Sequence, residues 1–516
     1  MKKTGVAALL LFVCNGCSPR LTVSKETTYF TGPLHPDGRV NYAEALNELY
    51  GSGVTPENNA ALPLLAVLDD TVPELVAERM GLRHAPQPTE RFLGGIPDWS
   101  KYIEWRRESG HPLPGTDEKA VGKQLDVELL AAIQRPWSKR DHPLVAGWLE
   151  DMTRPLEAVD RATTRPRYWI PVTEPLPNSF LPSLLKRRNV ANALRARTML
   201  RLSEGDPDGA SRDVLTILRL ASLESRGPTL INQLIAVAIA GMGAEPLPLV
   251  AAHPKLSQDA LRRALSELEG IEPLPSPGEK IGNGERAWVL DAAVQIAFRG
   301  KYQEGPGEDP IGLWFLDRNL ADWDEVLKMI NRCYDTEIAC HEAKTAEARR
   351  AACDERDRLL PKDKAASVAE VLTGSALPTA KALLLFKTIV SIGLPSLGRS
   401  YVSFNEQNTL GRLARFTLIA RAYRDEKGEK GRFPDRLESL SASELHGVSV
   451  AASQHGYRFA FHPGAGTGYA YTAVPEEQGR SGERSFCVDG TGKLVTLKAG
   501  VAPEVRDAQC PSASTQ

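Results

Sequence analysis

The chain has 516 residues, of which 42% are hydrophobic and 25% are charged, and its formal net charge at pH 7 is −2. This length and apolar content predict about three globular domains and exclude an intrinsically disordered chain. A chain close to neutral has no overall positive field, so we expect no nucleic-acid partner.

The first residues have the order of a secretory signal, with a charged start, an apolar run and small residues. Met1-Lys2-Lys3 precede the run from Val6 to Val13, and Cys14-Asn15-Gly16-Cys17 follow it. Roughly ten apolar residues are too few for a bilayer core that needs about twenty, which argues against a permanent transmembrane anchor. We expect residues 1–16 to be a signal peptide and residues 17–40 to be a linker.

Gly16-Cys17 resembles the processing site of bacterial lipoprotein signal peptides, in which the cysteine is lipidated and becomes the new N-terminus. The resemblance implies a lipid on Cys17 and therefore a membrane of the cell envelope as a partner. It departs from the family at Cys14, where an aliphatic residue is usual, and the alternative is an ordinary cleaved signal that leaves Cys17 as a thiol. Ser18 stands where the inner-membrane retention signal of enterobacterial lipoproteins has Asp, which favours the outer membrane.

Residues 41–300 predict a helical domain. Apolar residues at helical spacing on both sides of Gly51-Ser52-Gly53 predict a helical hairpin over 41–69. A Pro- and Trp-rich irregular section follows. Tryptophan near proline most often covers a core under a loop, with a ligand-binding role as the alternative. The tryptophans concerned are Trp99, Trp105, Trp148 and Trp169.

Antiparallel helices joined by short turns are predicted over 190–250. The Gly205-Asp206 turn looks like that of one tetratricopeptide unit, without an evident second copy at the repeat spacing. Leu230 to Met242 is apolar nearly all round, which predicts a buried helix. The densest basic cluster is spaced along a helix, and we interpret it as a solvated face rather than a phosphate-binding surface: Lys186, Arg187, Arg188, Arg195, Arg197 and Arg201.

Residues 311–400 predict a second helical section after a loop at 300–310. Residues 322–360 are rich in Ala, Glu, Arg and Lys without Gly or Pro, which is typical of either a long, partly exposed helix or a tight hairpin. Residues 379–397 are apolar but contain two lysines and a proline, which favours a core or interfacial helix over a membrane span.

Residues 405–500 predict a helix that leads into an antiparallel meander. An apolar helical stripe ends near Tyr423, and β-rich runs separated by Gly-rich turns follow at 456–461, 468–474, 484–488 and 493–497. The predicted fold class is therefore mainly α, with a helical-hairpin N-terminal and central region followed by a small α+β domain. Residues 501–516 are a polar tail.

The α+β region resembles the globular part of type IV pilin-like and pseudopilin proteins. The matching features are Ala422-Tyr423, the corner from Gly431 to Pro434 and the strand from Ser485 to Asp489, within about 90 of the 516 residues. True pilins begin with an apolar assembly helix, whereas roughly 400 residues precede this region, so we do not expect pilus assembly. The whole chain, with its VTPENNAA segment, also looks like exported proteins of planctomycetes and related bacteria, a resemblance that implies no activity.

Five cysteines remain once Cys14 is removed with the leader and Cys17 is lipidated, and an oxidising compartment favours disulfides over metal binding: Cys333, Cys340, Cys353, Cys487 and Cys510. Cys333 and Cys340 are roughly 10 Å apart along a continuous helix, beyond the about 7 Å that a disulfide tolerates, so we expect no bond between them. Cys353 reaches either one only if residues 322–360 form a hairpin. Many type IV pilins close their C-terminal region with a disulfide, and this resemblance implies a bond between Cys487 and Cys510.

The catalytic motifs that we examined in the sequence are incomplete. Asp489-Gly490-Thr491-Gly492-Lys493 lacks the first glycine of a phosphate loop, and His341-Glu342 lacks the second histidine of a zinc-protease motif. We therefore assign no catalytic residue, metal or cofactor, and expect a non-enzymatic envelope scaffold or protein-interaction module. Two alternatives stay open: an accessory component of a type II secretion or type IV pilus system, and an envelope hydrolase with its site in the Trp- and Pro-rich half.

Overall fold

The computed structural model describes residues 21–86, 90–115, 117–176, 179, 184–299, 322–343, 345–359, 397–426, 432–440, 444–464, 468–498 and 501–511. Over these ranges the fold is mainly α with a small antiparallel sheet near the C-terminal end, which confirms the predicted fold class. Three predictions concern residues outside these ranges: the signal peptide with Cys17, the loop at 300–310 and most of the apolar segment at 379–397.

The described helices are α1 Tyr42–Gly51, α2 Ala61–Val67, α3 Glu74–Arg79, α4 Ser100–Glu108, α5 Glu118–Ala132, α6 Pro143–Asp151, α7 Thr153–Thr163, α8 Leu184–Glu204, α9 Pro207–Glu224, α10 Leu230–Ala244, α11 Leu247–Ala252, α12 Gln258–Gly270, α13 Pro277–Lys280, α14 Arg286–Arg299, α15 Trp323–Glu342, α16 Ala346–Leu359 and α17 Leu397–Glu426. Several begin at side chains that cap a helix N-terminus. Asp206, for example, accepts a hydrogen bond from the Gly209 amide at 2.9 Å. A π-helix, Ile281–Glu285, connects α13 to α14.

Helices α8, α9 and α10 pack against one another, as predicted for 190–250. The turn between α8 and α9 places Gly205 at a φ of +78°, a left-handed conformation that glycine adopts without a Cβ clash. Within the described residues, one stretch, Leu230–Ala252 in α10 and α11, is long and apolar enough to cross a membrane, and 67% of its most apolar window is buried inside the protein.

Most of the basic cluster of α8 is not a solvated face, so that interpretation is wrong for all of its members except the exposed Arg188. Arg187 is fully buried and contacts the carboxylates of Glu224 and Asp70. Arg197 pairs with Asp213 at 2.6 Å. A carboxylate from another element offsets the cost of taking each guanidinium out of water. These arginines therefore join helices inside the fold.

Tryptophans fill the core of the Pro-rich half. The rings of Trp99 and Trp148 meet edge to face with their centroids 4.9 Å apart. Their indole N–H groups donate to the Asp126 carboxylate at 2.7 Å and to the Leu93 carbonyl oxygen at 2.8 Å. Because both rings are buried with their polar atoms satisfied, they serve packing, as the core interpretation predicted.

Residues 21–40 are packed against the protein, which differs from the predicted linker. They lie on a second apolar core that includes α1, α14 and α15. Asn331 Nδ2 donates to the Thr27 carbonyl oxygen at 2.6 Å, and the Thr22 amide donates to Asp324 at 2.9 Å. The partners are about 300 residues away in sequence, so the local sequence pattern of residues 21–40 did not predict that they pack on α15.

Helices α15 and α16 form the hairpin that was one of the two interpretations of residues 322–360. A disulfide joins Cys340 to Cys353 across it, with the Cα atoms 4.9 Å apart. Cys333 is a buried free thiol, so the predicted absence of a Cys333–Cys340 bond is confirmed.

The sheet is an antiparallel meander of β1 Ser453–Gln454, β2 Tyr457–Pro463, β3 Tyr469–Pro475, β4 Arg484–Asp489 and β5 Leu494–Lys498, in the spatial order β1-β2-β3-β4-β5. One face packs on α17, where the Phe416 ring lies 5.0 Å from the ring of Tyr471 and 5.5 Å from that of Tyr469. Helix α17 in turn contacts α10, α11 and α12. The sheet and the helical body consequently share one continuous apolar core.

The C-terminal tail covers the other face of the sheet. Cys487 in β4 and Cys510 in the tail form a disulfide, with their Cα atoms 5.7 Å apart. The Cys510 amide donates to Asp489 at 2.9 Å. Ala470 and Val495 pack around the disulfide, so a small separate cluster of buried side chains attaches the tail to the sheet.

Candidate ligand-binding site

A cavity of about 200 Å³ lies beside the middle of α17, and we call it the α17 cavity. Helices α9 and α10 supply one wall, α17 supplies the opposite wall, and residues 271–274 and 447–455 complete it. A single water molecule needs about 10–15 Å³, whereas sites for drug-sized ligands measure about 300–1,000 Å³. The α17 cavity therefore fits a small ligand.

The wall formed by α17 carries polar groups at helical spacing. Asn408, Gly411, Arg412 and Arg415 stand at positions i, i+3, i+4 and i+7, so they share one face of the helix. Gly411 is the gap in this face, because a Cβ placed there would have no heavy atom within 4 Å. A ligand can thus approach the helix backbone between the two arginines.

Arg412 is held in place by its surroundings. Its guanidinium donates to Gln454 at 2.9 Å, to the Ala451 carbonyl oxygen at 2.8 Å and to the Tyr471 hydroxyl at 2.6 Å. It also lies 3.7 Å from the centre of the Phe459 ring, a cation–π contact. The Nε–H is buried and makes no hydrogen bond within the described residues. Arg412 therefore contributes its charge to the cavity, whereas its Nε–H is enclosed by protein.

Arg415 contributes a second positive charge, and it forms no hydrogen bond or ion pair with any residue that the structure describes. Burial lowers the pKa of its guanidinium, and no neighbouring carboxylate raises it again. Asn408 Nδ2 is likewise buried without an acceptor in the described part of the chain. The Arg415 side chain is only half-buried and none of its nitrogens is enclosed, so its guanidinium is accessible to an anionic ligand.

Acidic groups around the cavity do not offset this charge. Glu272 lines the rim, but its carboxylate already pairs with Arg226 at 2.9 Å. His455 also lines the cavity, next in sequence to the Arg412 partner Gln454, and has a left-handed conformation with φ of +52°. Burial, and to a lesser extent the charge of Arg412, lower the pKa of His455. The cavity thus combines two guanidinium groups with a neutral imidazole at pH 7.

The wall facing the arginines is apolar. It is formed by short and aliphatic side chains of α9, α10 and α11, namely Leu218, Ala221, Ala240, Ala244 and Leu247. Alanine leaves room where a larger residue would fill the space. The cavity is therefore amphipathic, with a cationic wall and an apolar wall.

Two adjoining cavities of about 380 and 810 Å³ lie beside the α15–α16 hairpin. Arg349 lines both, and its Nε and Nη1 atoms have no acceptor among the described residues. His341 Nε2 lies 3.0 Å from the Glu337 carboxylate. Acidic side chains are as frequent as basic ones around these cavities, for example Glu476 and Glu477, so they favour no ligand charge.

A further cavity of about 530 Å³ lies beside α7, α9 and α12. Its wall includes several arginines, of which Arg219 is bound to Asp160 and Glu267 and Arg226 to Glu272. The other lining arginines are Arg212 and Arg263, which are exposed, and Arg165, which donates to two carbonyl oxygens.

Titratable groups also cluster around the π-helix. Burial lowers the pKa of Lys280 to about 8, and its Nζ lies 4.8 Å from the centre of the Tyr50 ring. Burial raises the pKa of Glu285. None of the four cavities described above is lined by these residues. We therefore treat the cluster as part of the packed interior.

The residues assigned from sequence lie elsewhere. Cys17 is outside the described ranges, and the Cys487–Cys510 disulfide fixes the tail and does not line the α17 cavity. Sequence reasoning assigned no role to Arg412 and Arg415. The available signal was their spacing of three on a helix with an apolar stripe, which places both on one face of that helix.

Comparison of the chain with protein-family models, with curated proteins and with solved structures finds no match. Among the described residues there is no group of three or more His, Cys, Asp and Glu side chains that could hold a metal ion.

Proposed function

We propose that this chain is a lipid-anchored protein of the cell envelope that binds a small anionic ligand in the α17 cavity, and that it acts as a binding scaffold rather than an enzyme. The observation that carries the proposal is the unpaired Arg415 beside the partly satisfied Arg412, in a cavity with no free carboxylate. An anion would neutralise this charge and accept the unused N–H groups.

The arrangement suits binding because it is preformed. Arg412 is fixed by three acceptors, and α17 is fixed by the core that it shares with the sheet and the helical body. A rigid site loses little conformational entropy when a ligand enters. Apart from Glu272, which is paired with Arg226, the charged side chains that line the cavity are two arginines, which favour holding an anion.

The anchor is the sequence-based part of the proposal and is tested separately. Replacing Cys17 by Ala should abolish incorporation of labelled fatty acid and leave the precursor uncleaved by the lipoprotein signal peptidase. Fatty acid that still enters this variant would disprove the anchoring site. The secretion-system and hydrolase alternatives remain sequence-based predictions.

Anion binding is tested on the detergent-solubilised full-length protein by calorimetric titration with phosphate, sulfate and a series of monocarboxylates. At least one of these anions should bind the wild type, and Arg415→Gln should lose most of the affinity. Arg188→Gln is the matched control, because Arg188 is exposed on α8 and lines none of the described cavities. If no anion binds, or if both variants lose affinity equally, the proposed function is wrong.

A further inference from the structure

The ligand class follows from the two walls of the α17 cavity, provided that the proposed anion-binding function is correct. We propose that the cavity takes a small monocarboxylate with an apolar body, held by its carboxylate on α17 and by its carbon chain on α9 and α10. The inference rests on the unpaired planar guanidinium of Arg415, on the apolar wall and on the gap at Gly411.

The free donors match one carboxylate. Arg415 offers a complete guanidinium, whose planar fork binds the two oxygens of a carboxylate in parallel. Arg412 adds its positive charge, while its Nε–H and the Nδ2 group of Asn408 are enclosed by protein. A carboxylate has about four lone-pair positions, and the Arg415 fork satisfies two of them. A phosphate has more oxygens and a charge of about −1.5 to −2, and would leave oxygens unpaired here.

The opposite wall matches a carbon chain. Leu218, Ala240 and Ala244 present only apolar atoms, and water against them is displaced favourably by methylene groups. The small volume, about 200 Å³, limits the chain to a few carbons. Each methylene that becomes buried should tighten binding about fourfold until the space is full.

Gly411 supplies a variant that closes the cavity without harming the fold. The position of its Cβ meets no heavy atom within 4 Å and Gly411 lines the cavity, so a leucine side chain would begin without a clash and extend into the ligand's space. Leucine also has a higher helix propensity than glycine in a helix interior. The matched control is Gly147→Leu in α6, where a Cβ also meets nothing within 4 Å and which lies outside the described cavities.

The experiment is calorimetric titration of the solubilised full-length protein with acetate, butyrate, hexanoate, octanoate and inorganic phosphate. We expect the affinity to rise about fourfold per methylene and then to level off, with phosphate weaker than hexanoate. Gly411→Leu should lose binding of the longer acids by at least about tenfold, while Gly147→Leu binds as the wild type does.

The outcomes separate the two proposals. If phosphate or sulfate binds tightest, or if affinity does not depend on chain length, the carboxylate inference is overturned while the anion-binding function stands. If Gly411→Leu binds the longer acids as the wild type does, the ligand lies outside the α17 cavity and the inference fails. If none of the anions binds, both proposals fail.

Discussion

Arg412 in α17 donates a hydrogen bond to the Tyr471 hydroxyl in β3 at 2.6 Å, and this bond connects the cationic wall of the cavity to the sheet. Tyr471→Phe removes the acceptor without changing the packing of the ring. We expect the free energy of unfolding to fall by about 1.5–3 kcal/mol, the range for hydrogen bonds to charged groups. Urea denaturation measures this loss, and an unchanged midpoint would mean that water replaces the hydroxyl.

Ligand binding should take up protons through His455. Its pKa is lowered by burial and by Arg412, and a bound anion offsets the positive charge, so binding should raise that pKa. The affinity should therefore increase as the pH falls through the range below the ordinary histidine value of 6.5. Titrations in buffers of different ionisation enthalpy measure the uptake. His455→Gln should abolish it, and uptake that persists in this variant would assign the proton to another group.

Lys280 should make stability depend on alkaline pH. Its pKa is about 8 in the folded protein and 10.5 in the unfolded chain, so between these values the unfolded state binds more protons and stability rises with pH. Lys280→Met lacks this dependence. The free energy of unfolding of Lys280→Met minus that of the wild type should fall by about 2 kcal/mol from about pH 7.5 to 9.5. Denaturation curves at both pH values measure it, with exposed Lys119→Met as the control; parallel curves for wild type and Lys280→Met would contradict the buried position.

Cys333 should be the thiol that alkylation detects after unfolding. Burial raises its pKa to about 12, so the native protein should resist iodoacetamide at pH 8. Unfolding without reductant should expose one thiol per chain, because the other described cysteines are in disulfides and Cys17 is expected to carry lipid. Mass spectrometry counts the labels. Two or more labels would show that a disulfide is open or that Cys17 is not lipidated.

The sequence predicted the elements whose pattern is local. The antiparallel helices over 190–250 and the meander strands follow from periodicity and glycine turns, and both are present. The burial and pairing of the α8 arginines were not predictable in this way. Arg187 is buried because the carboxylates of Glu224 and Asp70, which belong to other parts of the chain, pair with it. Helical periodicity alone predicts that a charged residue is exposed to solvent.

The candidate site was not predicted from the sequence, because it too depends on tertiary contacts. Its walls come from Leu218 in α9, the segment 271–274, Arg415 in α17 and the loop at 447–455, which meet only in the folded chain. No short motif spans these segments. What makes Arg415 informative is that it has no partner among the described residues, and partners are a property of tertiary structure.

If Cys17 carries lipid as proposed, the docking of residues 21–27 on α15 limits how far the protein can stand from a membrane. Thr22 is already bound to Asp324, only five residues after the expected lipid site at Cys17. Five residues span at most about 18 Å when fully extended. A lipid on Cys17 would therefore be joined to the folded body by a short segment of chain. The body would rest close to the lipid headgroups, would sweep a small area and would meet only those ligands that reach the membrane surface.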